Sequence, residues 1–276
     1  MTATSHEVTI ERPIVPRGMT ARLRWAIKDA LVLARRSLLR IPRSPELLVF
    51  LTIQPVMFVT LFVYVFGGAI QTPGFDYEDF LLPGIIVQTI AFGGMLTGVG
   101  LAEDLQKGLI DRFRSLPMAR SGVLAGRTLA DVATNLFALV VMVAVGYAVG
   151  FRFASSVADI LTGIALALLF GYAISWVSAT IGLMLANVEA TQQAGFVWLF
   201  PLTFISSAFV PVESMPDALA AFAEVNPVTV TTNALRGLFL GLPVGNDGWL
   251  SLAWSLGLVA VFAPLSVARY RRVAAR

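Results

Sequence analysis

Six stretches of this 276-residue chain contain no Asp, Glu, Lys or Arg: residues 47–75, 80–102, 132–151, 160–188, 190–212 and 248–268. Each is long enough for a helix to cross the hydrocarbon core of a bilayer, which takes about 20 residues. A water-soluble chain would have to bury six such helices on every side, and 276 residues cannot supply the surrounding protein. Charged residues make up only 13% of the sequence, about half the share of an ordinary soluble domain. The runs are continuously apolar rather than alternating, which excludes the short two-faced strands of a membrane barrel. The expected fold is an all-α integral membrane protein with six transmembrane helices, at about residues 47–66, 80–101, 128–150, 160–185, 194–210 and 249–267.

The basic residues orient those helices. Nine of the 20 Lys and Arg precede the first span, five lie between spans two and three, and four follow the last, leaving only Arg152 and Arg236 in segments assigned outside. Basic residues accumulate on the cytoplasmic side, so both termini and the loop after span two are expected in the cytoplasm, in a multi-pass protein of the cell membrane. Residues crowded beside apolar spans meet anionic lipid headgroups, so the expected partners are membrane lipids, not nucleic acid. No cleavable leader is apparent ahead of the first apolar run, which begins near Leu47.

Residues 1–18 lack periodicity and read as a flexible cytoplasmic tail. In residues 19–45, Leu23, Ile27, Leu31, Ala34, Leu38 and Ile41 recur at helical spacing, with Arg24, Trp25, Lys28, Arg35 and Arg36 around them. Such an amphipathic helix lies in the cytoplasmic interface, or packs on a partner protein. Pro42 and Pro45 close it. The six-span region then runs over 46–268, and 269–276 form a basic cytoplasmic tail. Span two carries Gly94-xxx-Gly98 and the end of span three carries Gly146-xxx-Gly150, spacings that allow helices to approach closely in lipid. Between spans five and six, residues 212–245 include two apolar pieces too short to cross, on either side of Asn226-Pro227. Short pieces of this kind suit re-entrant helices in the outer leaflet, with Pro211, Glu213, Asn226 and Pro227 as the marker residues.

The polar segment 103–120 separates spans two and three. Leu105, Leu109 and Phe113 recur every four residues among Glu103, Lys107, Arg112 and Arg114, and Pro117 ends the pattern. A surface helix that docks into a soluble partner fits, as does a cytoplasmic loop held on lipid. Reactive chemistry is sparse. The single histidine, His6, lies in the tail, there is no cysteine, and no clustered carboxylates supply a metal shell. The phosphate-binding GxxxxGK[ST] pattern is missing, and the Gly-rich run at 93–100 lacks its lysine. The span cores carry essentially no ionisable group of the kind that relays ions or protons. Their conspicuous polar groups are Gln54, Gln88, Asn135 and Asn187, with Gln192 and Gln193 at a membrane edge. A surface of Phe, Met, Leu, Thr and Ser suits a lipophilic cargo.

Glu103, Gly108, Arg112, Arg114, Pro117 and Arg120, followed by Gly126, resemble the E…G…R.R..P..R region of ABC-2 type exporter permeases, and within them the daunorubicin/doxorubicin-resistance group. The resemblance extends to Phe209-Val210-Pro211 and Asn226-Pro227 and covers nearly the whole chain. It implies a bacterial exporter permease for an amphiphilic drug, natural product or lipid. It further implies a permease homodimer, or less often a heterodimer, joined to two copies of a cytoplasmic ABC ATPase subunit. The chain itself would hold no cofactor and perform no catalysis; ATP and Mg would be bound by the ATPase. The amphipathic start would be a connecting helix. Glu103, Lys107, Leu109, Arg112, Phe113, Arg114 and Pro117 would form the coupling segment that receives the ATPase movement. Export of a lipid-linked polysaccharide or wall polymer, and a membrane scaffold that binds an ATPase without transporting, are the alternatives.

Overall fold

An apolar chain in lipid must satisfy its backbone hydrogen bonds internally, and helices are what such runs form. The computed structural model describes residues 45–67, 76–108 and 120–273. Its helices in chain order are α1 (Pro45–Leu61), α2 (Tyr77–Gln106), α3 (Arg120–Val149), α4 (Val157–Leu185), α5 (Val188–Phe204), α6 (Asp217–Val225), α7 (Pro227–Leu240) and α8 (Asp247–Val273). A π-helical turn, Phe62–Phe66, continues α1, and a 3-10 turn, Val212–Ser214, precedes α6. The tail, the amphipathic segment 19–44 and residues 109–119 lie outside the described residues.

Among the described residues, four helices, α2, α3, α4 and α8, are long and apolar enough to cross a membrane on their own. Helices α1 and α5 have 17 residues each. The last of these ends at Phe204 rather than near residue 210, because the backbone leaves helical geometry at Ile205. Large apolar side chains face outward on nearly every helix: Trp249 is 75% and Val197 74% exposed, and Val140, Leu161 and Val261 are each more than half exposed. So much exposed apolar surface has no place in water. It fits a lipid-facing perimeter.

Helix α2 is the axis of the bundle. Of its most apolar window 72% is buried, against 28% for α3 and 17% for α8. Its Leu81, Leu82, Ile85, Ile86 and Ile90 join Leu139 and Met142 of α3, Phe170 and Ile174 of α4, and Leu235 and Phe239 of α7 in one core. The crossing of α2 with α4 is made by backbone. A Cβ placed on Gly98 would lie 2.2 Å from the Ser178 carbonyl oxygen, and one on Gly182 would lie 2.2 Å from the Gly98 carbonyl oxygen. The Gly94-xxx-Gly98 face is thus consumed inside the chain. Hydroxyl pairs add interhelical hydrogen bonds, Thr180 with Ser266 at 2.7 Å and Thr231 with Ser251 at 2.8 Å.

The helix ends follow local rules. Gly108, at φ +64°, closes α2 in the left-handed conformation that glycine enters without strain, which gives this motif position a physical reason. Ser156 caps α4 by accepting from the Asp159 N–H, and Asn187 caps α5 by accepting from the Ala190 N–H at 2.8 Å.

Candidate functional site

Polar groups inside an apolar bundle need partners or a purpose, and here they converge. A cavity of about 320 Å³ opens between α1, α2, α3 and α5. Helix α1 contributes Gln54 and Phe58. Helix α2 contributes Gln88, Thr89, Phe92, Gly93, Met95 and Leu96, and α3 contributes Asp131, Thr134, Asn135 and Ala138. Helix α5 lines it with Gln192, Phe196, Phe200 and Phe204. Of the amides singled out in the sequence, Gln54, Gln88, Asn135 and Gln192 meet in this wall, whereas Asn187 is a helix cap.

The α3 wall is a polar stripe at one-turn spacing. Arg127 donates to Asp104 near the end of α2, and Gly100 leaves room for its guanidinium. One turn on, Asp131 accepts a hydrogen bond from the Thr97 hydroxyl. Two turns on, the Asn135 side chain sits against Gly93 and Gly171, 3% exposed, and its Nδ2 donor has no hydrogen-bond partner among the described residues. The sequence reading left the span cores free of ionisable groups. Asp131 corrects that, because it lies within the apolar helix Arg127–Val149 and its carboxylate reaches the cavity. The signal was present: Arg127, Asp131 and Asn135 share one face of the helix.

Aromatic rings continue from the cavity toward the start of α2. Phe200 stacks on Phe204 at 4.3 Å, Phe204 on Phe209 at 5.1 Å, and Phe209 on Phe62 of the π turn at 4.7 Å. Beside this run sits Arg236 of α7. It is only 6% exposed, donates from Nε to the Phe80 carbonyl at 2.9 Å, and donates to Asn233 and to the Ser207 hydroxyl and carbonyl. Its guanidinium carbon lies 3.6 Å from the Phe80 ring centroid. A residue counted as an outside charge is therefore a buried joint between α2, α7 and the turn after α5. Asn226 is a second joint: its Oδ1 accepts from the Val228 N–H at 2.9 Å, and its Nδ2 donates to the Leu202 and Ile205 carbonyls at 2.7 Å. Pro227 follows at the first turn of α7, where its missing N–H costs nothing. Pro211 accepts from Ser214 in the 3-10 turn, and Glu213 is exposed.

At the far end of α2 from Phe80, Glu103 and Lys107 form an exposed ion pair at i, i+4 spacing. Leu109, Arg112, Phe113, Arg114 and Pro117 of the proposed coupling segment lie outside the described residues, as do Arg24, Trp25, Lys28, Arg35 and Arg36. Among the described residues no group of three or more His, Asp or Glu could hold a metal.

Long apolar helices with an apolar perimeter, and a cavity of amides and rings between them, define a multi-pass membrane protein with an internal recess. The profile of the ABC-2 type transporter family matches residues 29–240, and the chain belongs to that family. It is 33% identical over 260 residues to a daunorubicin resistance ABC transporter permease protein of Streptomyces coeruleorubidus, covering 94% of this chain and 92% of that one. Its identity to a probable doxorubicin resistance ABC transporter permease protein of Mycobacterium tuberculosis is 28% over 278 residues, covering 99% and 98%. A probable multidrug ABC transporter permease of Escherichia coli is 25% identical over 211 residues, covering 72% and 54%.

Proposed function

We propose that this chain is the permease subunit of an ABC exporter that moves an amphiphilic drug, natural product or lipid out of the cytoplasm or inner leaflet. The observation that carries this is the cavity between α1, α2, α3 and α5, whose rings and amides suit a cargo with both apolar and hydrogen-bonding parts. Relatives named for daunorubicin, doxorubicin and multidrug transport support the drug class. The cavity also favours transport over a scaffold role, since a scaffold has no need for a recess lined by amides and rings between its helices.

In this reading six helices cross the membrane: α1 with its π turn, α2, α3, α4, α5 and α8. Both termini are cytoplasmic, and α6 and α7 return within the outer leaflet. Two permeases pair, and two copies of a separate ATPase bind ATP and Mg. The segment 103–120 receives their movement. Ion pairing of Glu103 with Lys107 stiffens the last turn of α2, and the Asp104–Arg127 pair ties that turn to α3. A push on the segment then reaches the helices that carry Thr97, Asp131 and Asn135.

The test is co-reconstitution with the cognate ATPase in vesicles. ATP-dependent movement of a labelled amphiphile is expected from the unaltered pair. The double variant Leu109→Asp with Phe113→Asp should lose ATPase capture at least about tenfold while staying in the membrane, because charges do not enter an apolar groove cheaply. Unchanged capture refutes the coupling assignment. ATPase capture with no movement across a panel of amphiphiles would favour the scaffold.

A further inference from the structure

We propose that the cavity selects amphiphiles bearing one positive charge, and that the Asp131 carboxylate is the group that recognises it. This rests on the reading of the cavity as the cargo site. Among the described residues, Asp131 is the only ionisable side chain in the cavity wall, which otherwise consists of apolar, hydroxyl and amide groups. Its hydrogen bond from Thr97 orients the carboxylate without neutralising it. Arg127, one turn away, has its guanidinium on Asp104. A carboxylate held in an apolar bundle, with the charge of neighbouring Arg127 already engaged by Asp104, carries a desolvation cost that a cationic ligand would offset.

Two further features point to the same ligand. Phe58, Phe92, Phe196 and Phe200 line the carboxylate's cavity, and aromatic rings attract cations as well as flat apolar bodies. Gln54 and Gln192 add amide groups to the same wall, and an amide can donate to or accept from a polar group of the ligand. The site therefore fits a protonated amine or quaternary centre joined to an aromatic body, with a carbonyl, ether or hydroxyl oxygen within reach of those amides. An anionic amphiphile would meet a like charge and leave that charge unpaired.

The test uses two near-isosteric ions of opposite sign, tetraphenylphosphonium and tetraphenylborate. Each is titrated radiolabelled onto the full chain in phosphatidylcholine nanodiscs, with partition into empty discs subtracted. Saturable binding of the cation at least about tenfold tighter than the anion is expected. Asp131→Asn, which keeps an acceptor for Thr97, should abolish that preference, whereas Asp131→Glu should retain it. Phe196→Ala should weaken the cation through lost ring contact, in a wild-type Asp131 background. Equal binding of the two ions, or a cation preference that survives Asp131→Asn, overturns the charge selection; if Phe196→Ala weakens both ions in that case, the cavity still stands as the cargo site. Absence of saturable binding for either ion overturns this proposal, and the vesicle assay with uncharged amphiphiles then decides separately on export.

Discussion

Gly98→Leu should leave little folded protein. A Cβ at this position would stand 2.2 Å from the Ser178 carbonyl oxygen, and the obstacle is helix backbone rather than a side-chain tip that could swing away. Helices α2 and α4 would have to separate along the most extensive helix–helix contact among the described residues. Overpacking a tight core costs about 1–3 kcal/mol, and a clash between two backbones belongs at or above the top of that range. The midpoint of heat-induced loss of the monodisperse peak in mild detergent should fall by about 10 °C or more, or the protein should fail to accumulate. Gly257→Leu on α8 is the control, because nothing lies within 4 Å of a Cβ there and the position is exposed. It should behave as the unaltered chain. A Gly98→Leu variant as stable as Gly257→Leu would mean that α2 and α4 do not cross at this point.

Arg236→Met should produce the second large loss. The guanidinium holds the Phe80 carbonyl, the Ser207 hydroxyl and carbonyl and the Asn233 side chain at once, while lying over the Phe80 ring. Hydrogen bonds from a charged donor are worth about 1.5–3 kcal/mol each, and acceptors left buried add their own desolvation cost. Methionine fills similar volume but satisfies none of them, so a destabilisation of about 3 kcal/mol or more is expected in denaturant titration of the purified chain. Arg236→Lys should recover only part of it, since one ammonium cannot reproduce a planar fork with donors on three nitrogens. Full stability of Arg236→Met would reduce the joint to a crowded surface contact. Because Gly98 and Arg236 sit toward opposite ends of α2, their effects should add.

The all-helical bundle was legible because the perimeter of a membrane protein writes itself into composition: charge is missing wherever lipid is the neighbour. One boundary was legible too, at Asn226-Pro227, since a proline at the first helical turn is a local requirement, whereas the spacing of Leu105, Leu109 and Phe113 carried the helical reading past Gly108, where left-handed geometry closes α2. What could not be read was which face meets which. Gly94 and Gly98 announced a close approach, but only the folded chain shows that α4 is the partner, supplying Gly171, Ser178 and Gly182 at matching heights. Asp131 was missed for a related reason. Charges were used to mark where spans end, so a charge inside a helix read as a boundary. Arg236 misled in the opposite sense: an arginine outside a span reads as a solvated charge, whereas the partners that bury it come from positions 80, 207 and 233.

The coupling path and the cavity both require that Lys107 and Glu189 face the cytoplasm while Asp159 and Asn246 face outward. All four residues are exposed, and the unaltered chain has no cysteine, so single-cysteine variants can be labelled without background. Intact right-side-out vesicles are treated with a membrane-impermeant maleimide before and after permeabilisation. Asp159→Cys and Asn246→Cys should label at once, and Lys107→Cys and Glu189→Cys only after permeabilisation. Immediate labelling of Lys107→Cys, or protection of Asn246→Cys, would contradict the arrangement on which the transport role depends.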